Sequence, residues 1–366
     1  GATDLWRTYF ESWHQVGMGS SVATPTWVAI TATASLVFLG KVQFLITTFF
    51  LVAPILMMFT VSKLLKRLTN NPWISVPAAF LYAISPVAIA AISTGHIATV
   101  LFLILAPYVA LLLRDIEKIE EFTWRKVFAL SLLVSIIFAF SPVVFLLGIA
   151  LTGFSIYRDY IDSNSGINFV LFNARLYRRL ALTFTPLLIC APWSFELIFN
   201  PARFLMDSGF LLQGSGPNFA LLGNPGGPGA LPWYLISPLT LVLAISLFSS
   251  TRARFIAEIG FVSLLISIFF SAISFKGNGT NIATQMYPGT LMVITTMTAI
   301  AAAIAVSDKL RERLKEACKH SPYLCGGHAI CYCNICALFN ALGRNNRGFS
   351  STTKWARDSS ARIFSC

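Results

Sequence analysis

Val42-Gln-Phe-Leu-Ile-Thr-Thr-Phe-Phe-Leu-Val-Ala-Pro-Ile-Leu-Met-Met-Phe-Thr-Val61 runs uninterrupted by any Asp, Glu, Lys or Arg. Its length matches the roughly 20 apolar residues that a helix needs to cross a hydrocarbon core. With no water there to satisfy backbone N–H and C=O groups, such a stretch must be a helix or a barrel strand. Continuous apolarity, rather than in/out alternation, selects the helix. Trp73–Ser93, Ile97–Leu113, Phe255–Phe275 and Tyr287–Val306 read the same way, with Glu258 near an end the one charge among them. Further apolar stretches fill most of the chain between Thr26 and Val306. The expectation is an all-α fold: a polytopic transmembrane helical bundle of about 8–10 membrane segments, opened by an N-terminal interfacial amphipathic helix.

Composition agrees. The chain of 366 residues is 56% hydrophobic and 11% charged, with a mean hydropathy of +0.71, far from a soluble domain. A net charge of +12 would suit nucleic acid, but its distribution does not, because the basic residues sit in short loops beside apolar helices and orient the chain in the bilayer. No charged n-region with a short apolar core opens the sequence, so no signal peptide is expected. The start at Gly1, directly into an amphipathic segment, leads us to expect a piece of a longer chain.

The charges choose a topology. Val127–Ile156 is about 30 residues long and broken at Ser141-Pro142, where proline removes a helical hydrogen bond. We read it as two halves that return to the same side. All of the 27 Lys and Arg residues except Arg7, Lys41, Arg203 and Lys276 then fall on the cytoplasmic side. Leu180–Phe199 and Leu231–Phe248 are single crossings in this scheme, and the short Trp27–Gly40 lies re-entrant or parallel to the membrane. Residues 1–24 are extracytoplasmic, 25–306 form the bundle with an outer loop at 200–232, and 307–366 form a basic, Cys-rich cytoplasmic tail expected to be disordered.

Two outward pieces carry polar chemistry. In residues 4–14, Asp4, Arg7, Glu11 and His14 share one side of a helical projection, and Trp6, Tyr9, Phe10 and Trp13 the other. One reading is an interfacial anchor with ordinary surface ion pairs, its aromatic face at the headgroups. The other places a general base, a divalent-metal contact and a phosphate clamp at the mouth of the bundle. The second piece, 200–232, is rich in Gly and Pro, as in Asn224-Pro-Gly-Gly-Pro-Gly229. Such a segment suits either a connector or a loop over a site. Trp193, Glu196, Arg203 and Asp207 flank its start, and His96 follows Gly95 in another outer turn. Asn278-Gly-Thr280 matches a glycosylation pattern. In the tail, Cys325, Cys331, Cys333 and Cys336 beside His320 and His328 match no common zinc spacing. A basic tail meeting anionic headgroups, or a shifted reading frame, accounts better for that composition.

Four stretches carry a resemblance. They are Leu5-Trp-Arg-x-Tyr-x-x-Ser-Trp-His-x-Val-Gly-x-Gly19 with Pro25; Phe38-Leu39-Gly40 ahead of the helix ending in Lys63-Leu-Leu-Lys-Arg67; Ala79-Phe-Leu-Tyr-Ala-Ile-Ser-Pro86; and Pro192-Trp-Ser with Gly226-Gly-Pro-Gly229. Together they make residues 4–306 resemble polytopic bacterial envelope proteins of the C-type glycosyltransferase-like kind, and more narrowly the membrane region attached to family-2 glycosyltransferase domains. The resemblance implies a multi-pass protein of the cell membrane that moves sugar from a polyprenyl-phosphate donor to an envelope glycan. Asp4, Glu11 and His14 would be its catalytic residues, and Arg7, His96, Trp193 and Arg203 its substrate contacts, with a divalent metal ion as candidate cofactor. The adjacent acidic pair common in that superfamily is missing here. Two other readings stay open: a transporter or flippase of envelope precursors, and a non-catalytic anchor for a partner glycosyltransferase.

Overall fold

A computed structural model describes residues 1–13, 21–69, 71–117, 124–163, 169–208, 225–226, 233–276 and 283–320. The chain divides into two compact units, Gly1–Asp308 and Lys309–Cys366. The described part of the second unit, 309–320, is the last stretch of a helix that begins in the first.

Among its described residues the first unit is mainly helical, with one two-stranded antiparallel ribbon, Ser274–Lys276 against Ala283–Gln285. Its helices are α1 (Ala2–Phe10), α2 (Thr26–Ser35), α3 (Val42–Leu68), α4 (Pro72–Ala83), α5 (Pro86–Thr94), α6 (Ile97–Glu117), α7 (Trp124–Phe140), α8 (Val143–Ser163), α9 (Phe169–Ile189), α10 (Trp193–Phe199), α11 (Trp233–Leu247), α12 (Thr251–Ala272) and α13 (Gly289–His320). Four helical stretches are long and apolar enough to cross a membrane: Val42–Leu68, Pro72–Thr94, Ala253–Ala272 and Gly289–Arg311. Ile97–Leu113, Val143–Tyr157 and Pro238–Leu247 are shorter apolar helices. Large side chains stand exposed along α3 (Phe44, Leu51, Ile55, Phe59) and α12 (Val262, Leu265, Phe269). An apolar surface of that extent is unfavourable in water and matches lipid.

Local sequence explains the breaks. Ser85 caps α5 by accepting from Ala88 N–H, with Pro86 in the first turn, so α4 and α5 meet at a notch. The expected break at Ser141-Pro142 separates α7 from α8. A second break interrupts Leu180–Phe199: α9 and α10 are bent by 107°, so this stretch is a broken span or a re-entrant element rather than one straight helix. Pro192 cannot donate to the helical ladder, and the Ser194 hydroxyl takes up the Leu187 carbonyl instead, at 2.6 Å. α2 spans 10 residues, about 15 Å, too short to cross. α13 continues to His320, well past Val306, because the intervening Lys, Arg, Leu and Glu residues are good helix formers.

The main core joins α3, α4, α5, α6, α12 and α13 around Met57, Tyr82, Leu103 and Met292. The Tyr82 hydroxyl is satisfied within it by the Leu103 carbonyl at 2.9 Å. α12 and α13 run antiparallel, with Ser263 donating to Leu291 O and Thr295 to Gly260 O. A smaller core gathers Phe138, Cys190, Trp193, Leu197 and Phe204 around the α9–α10 bend.

Candidate functional site

Four junctions between elements converge at one end of the bundle. The first is the α5–α6 turn. Gly95 adopts φ 74°, a conformation that costs glycine little. His96 N–H then returns to Ala91 O at 2.9 Å, and the His96 carbonyl starts α6. Its side chain is 3% exposed and stacks flat on Tyr287, ring centroids 3.6 Å apart at 10°. Tyr287 precedes α13 and fits there because residue 289 is glycine: a Cβ would overlap the phenol ring at Cε1.

The remaining junctions supply oxygen. Breaking α7 at Pro142 leaves the Phe140 carbonyl without its helical partner, and Ser208 N–H takes it at 2.9 Å. That contact delivers the neighbouring Asp207, which follows the 3₁₀ turn Pro201–Leu205. Ser141 Oγ donates to Asp207 Oδ1 at 2.5 Å and Thr290 Oγ1 to Oδ2 at 2.7 Å. Thr99 Oγ1 lies 3.1 Å from Thr290 Oγ1. With the Thr290 proton committed to the carboxylate, Thr99 is the donor of that pair.

Asp207 keeps some access to solvent, but protein packs densely around its carboxyl. Burial pushes it up to about 6, opposed by the Ser141 and Thr290 hydrogen bonds. No salt bridge reaches it among the described residues. Burial lowers His96 to about 4, so the imidazole is neutral at pH 7. A neutral imidazole carries one N–H donor and one acceptor, and neither ring nitrogen has a hydrogen-bond partner among the described residues. Burial also pushes the Tyr287 phenol up, so it stays protonated.

The residues singled out from sequence divide between this centre and its surroundings. His96 is in it. Arg203 lies four positions before Asp207 and pairs with Glu196 at 3.4 Å, both partly buried. Trp193 is 7% exposed and packs on Phe138 at 5.9 Å, in the small core beneath the same segment. Asp4 and Arg7 lie on α1, and Glu11 caps its C-terminus. Arg7 pairs with Glu11 at 2.8 Å on the exposed surface, and Asp4 accepts from the Gly1 amine, which holds its carboxyl below the usual range. Trp6 stacks on Phe10 at 5.6 Å, which keeps the aromatic residues together on one side. The chain entering α2 ties α1 to the rest, through Thr24 to Thr8 O and Thr26 to Cys190 O. His14 lies outside the described residues, as do residues 209–224, 227–232 and 321–366 with the tail cysteines beyond Cys318. Among the described residues no three His, Cys, Asp or Glu side chains group to hold a metal ion.

Asp207, Ser141, Thr290, Thr99 and Tyr287 were not candidates from sequence. The available signal was topological: the turn at His96, the Ser141-Pro142 break, the loop opened by Asp207 and the turn at 276–285 all fall on one side in the charge-based scheme.

Fold and centre together define a helical bundle of membrane-spanning character with a carboxylate, hydroxyls and a neutral imidazole at one end. No family model, curated protein or solved structure matches the chain.

Proposed function

We propose that this chain is a multi-pass protein of a bacterial cell membrane that transfers sugar from a polyprenyl-phosphate donor to a cell-envelope glycan. In this reading the shorter apolar helices α6, α8 and α11, with α7 and the bent α9–α10 pair, add to the four long ones to reach about 8–10 membrane segments. α1 lies at the outer interface, and the Asp207 end faces away from the cytoplasm. The observation that carries the proposal is the Asp207 carboxylate, held by two hydroxyls at the opposite end of the bundle from Lys63, Lys66 and Arg67.

Asp207 acts as general base. It takes the proton of an acceptor hydroxyl as that oxygen attacks the anomeric carbon, and the phosphate oxygen departs with the electrons of the breaking C–O bond. A carboxyl raised to about 6 is a stronger base than a free one and is still mostly ionised at pH 7. Asp4 and Glu11 are the other carboxylates offered for this role, and their exposure supports them less.

The test is sugar transfer by protein reconstituted in lipid with a polyprenyl-phosphate-linked donor and a glycan acceptor. Asp207→Asn is expected to lower turnover by about 10²-fold or more, and wild-type turnover to rise through pH about 6. Asp4→Asn and Glu11→Gln are expected to retain transfer. Full turnover in Asp207→Asn would remove it from the chemistry, and loss in either α1 variant would move the base to α1.

Transport or flipping of the same lipid-linked precursors is a second reading. It is favoured by the two broken helical elements, α7–α8 and α9–α10, which pack together through Cys190 and Ser135. Discontinuous helices are a common device of transporter sites. Movement of donor between leaflets without sugar transfer would select it.

A further inference from the structure

Groups left unsatisfied at this centre among the described residues, the Tyr287 and Ser208 hydroxyls as well as His96, bear on what it can hold. Asp207 has two hydroxyl donors on a carboxylate that has about four lone-pair sites. His96 offers one donor and one acceptor, both unused and both buried among the described residues. Leaving a polar group buried and unpaired is costly, and a ligand that pairs those nitrogens recovers that cost. Adjacent hydroxyls on a sugar ring meet this inventory: they donate to the carboxylate and to one imidazole nitrogen, and accept from the other. The phosphodiester of a lipid-linked donor does not, because its oxygens only accept, and any phosphate anion would face the Asp207 charge with no cation bonded there among the described residues.

We infer that the His96–Asp207 centre binds a neutral polyol, the hydroxyls of a sugar ring, and that it does not bind the donor's phosphate. Tyr287 positions His96 through the stacked rings, and Ser141 and Thr290 fix the carboxylate, with Thr99 donating to Thr290. The inference rests on the proposed sugar transfer only for the identity of the molecule that carries the polyol.

The experiment is binding of neutral methyl glycosides to the purified full chain in lipid nanodiscs, read by ligand-observed NMR, with inorganic phosphate as competitor. His96→Phe keeps the flat ring over Tyr287 and removes both nitrogens, and Asp207→Asn keeps the shape and removes the charge. We expect glycoside binding in wild type, at least about 10-fold weaker in His96→Phe, weaker in Asp207→Asn, and unaffected by phosphate. Absence of glycoside binding, equal binding in His96→Phe, or displacement by phosphate would each overturn the inference. Sugar transfer measured on the same preparations separates the two claims. Transfer without His96-dependent glycoside binding defeats only this inference, whereas such binding without transfer sustains it and defeats the transferase reading.

Discussion

An imidazolium and a carboxylate both lose hydration when the chain folds around them, so burial lowers the basicity of His96 and raises that of Asp207. Their effects on stability therefore run in opposite directions with pH. Asp207, raised from 3.8 to about 6, contributes stability that is full below pH 3.8 and lost as pH rises through about 6. His96, lowered from 6.5 to about 4, contributes stability that is present above pH 6.5 and lost as pH falls through about 4. Wild type balances the two on acidification from pH 7 to 5, and single variants should not. Thermal unfolding in nanodiscs is expected to show Asp207→Asn losing more stability than wild type over that interval, and His96→Phe losing less. Parallel pH curves for all three proteins would mean that neither group is perturbed as described. At this scale the sequence was half legible. A histidine after glycine in a turn can be singled out from its neighbours in the chain. Thr99, Thr290 and Tyr287 cannot, because their roles depend on approach across nearly 200 positions of sequence.

Single elements show the same division. The uninterrupted stretches beginning at Val42, Ile97 and Tyr287 became α3, α6 and α13, the first two continuing through Pro54 and Pro107. The α9–α10 bend hid in plain composition: Leu180–Phe199 is apolar on both sides of Pro192, and hydropathy does not register a turn of 107°. Packing between elements is equally invisible, as the α12–α13 pair illustrates. Gly260 faces Thr298 and Leu243 so closely that a Cβ would overlap the Thr298 hydroxyl and stand 2.8 Å from Leu243 Cδ1. Gly153, on α8, has nothing within 4 Å of the same position. Gly260→Ala is therefore expected to destabilise the bundle by about 1–3 kcal/mol through overpacking. Gly153→Ala should be neutral or stabilising by up to about 1 kcal/mol from helix propensity alone. Denaturant unfolding in micelles measures both, and equal effects would show that α12 and α13 do not approach as closely as their backbones require.

For the whole molecule the two ends of the bundle are chemically distinct, and their sidedness decides whether the centre can meet an outer-leaflet donor. α13 rises about 27 Å between Thr290 and Asp308. Thr290 binds Asp207 at one end, and Asp308 meets Thr69 at 3.5 Å at the other. Thr69 follows α3, so Lys66 and Arg67 belong to the Asp308 end, and Lys63 nearby reaches Tyr108 at 2.7 Å. Lysines and arginines beside short loops are retained in the cytoplasm; on the proposed topology the Asp207 end faces outward. Ala202 and Lys66 are exposed residues at the two ends. In a background with Cys190 and the tail cysteines replaced by serine, Ala202→Cys should react in intact cells with a membrane-impermeant maleimide. Lys66→Cys should react only after the membrane is opened. The opposite pattern would place Asp207 on the cytoplasmic side, and the centre would then face sugar nucleotides rather than an outer-leaflet polyprenyl donor. It would leave the pairing of Asp207 with Ser141 and Thr290 untouched, because those bonds depend on the fold and not on its orientation in the bilayer.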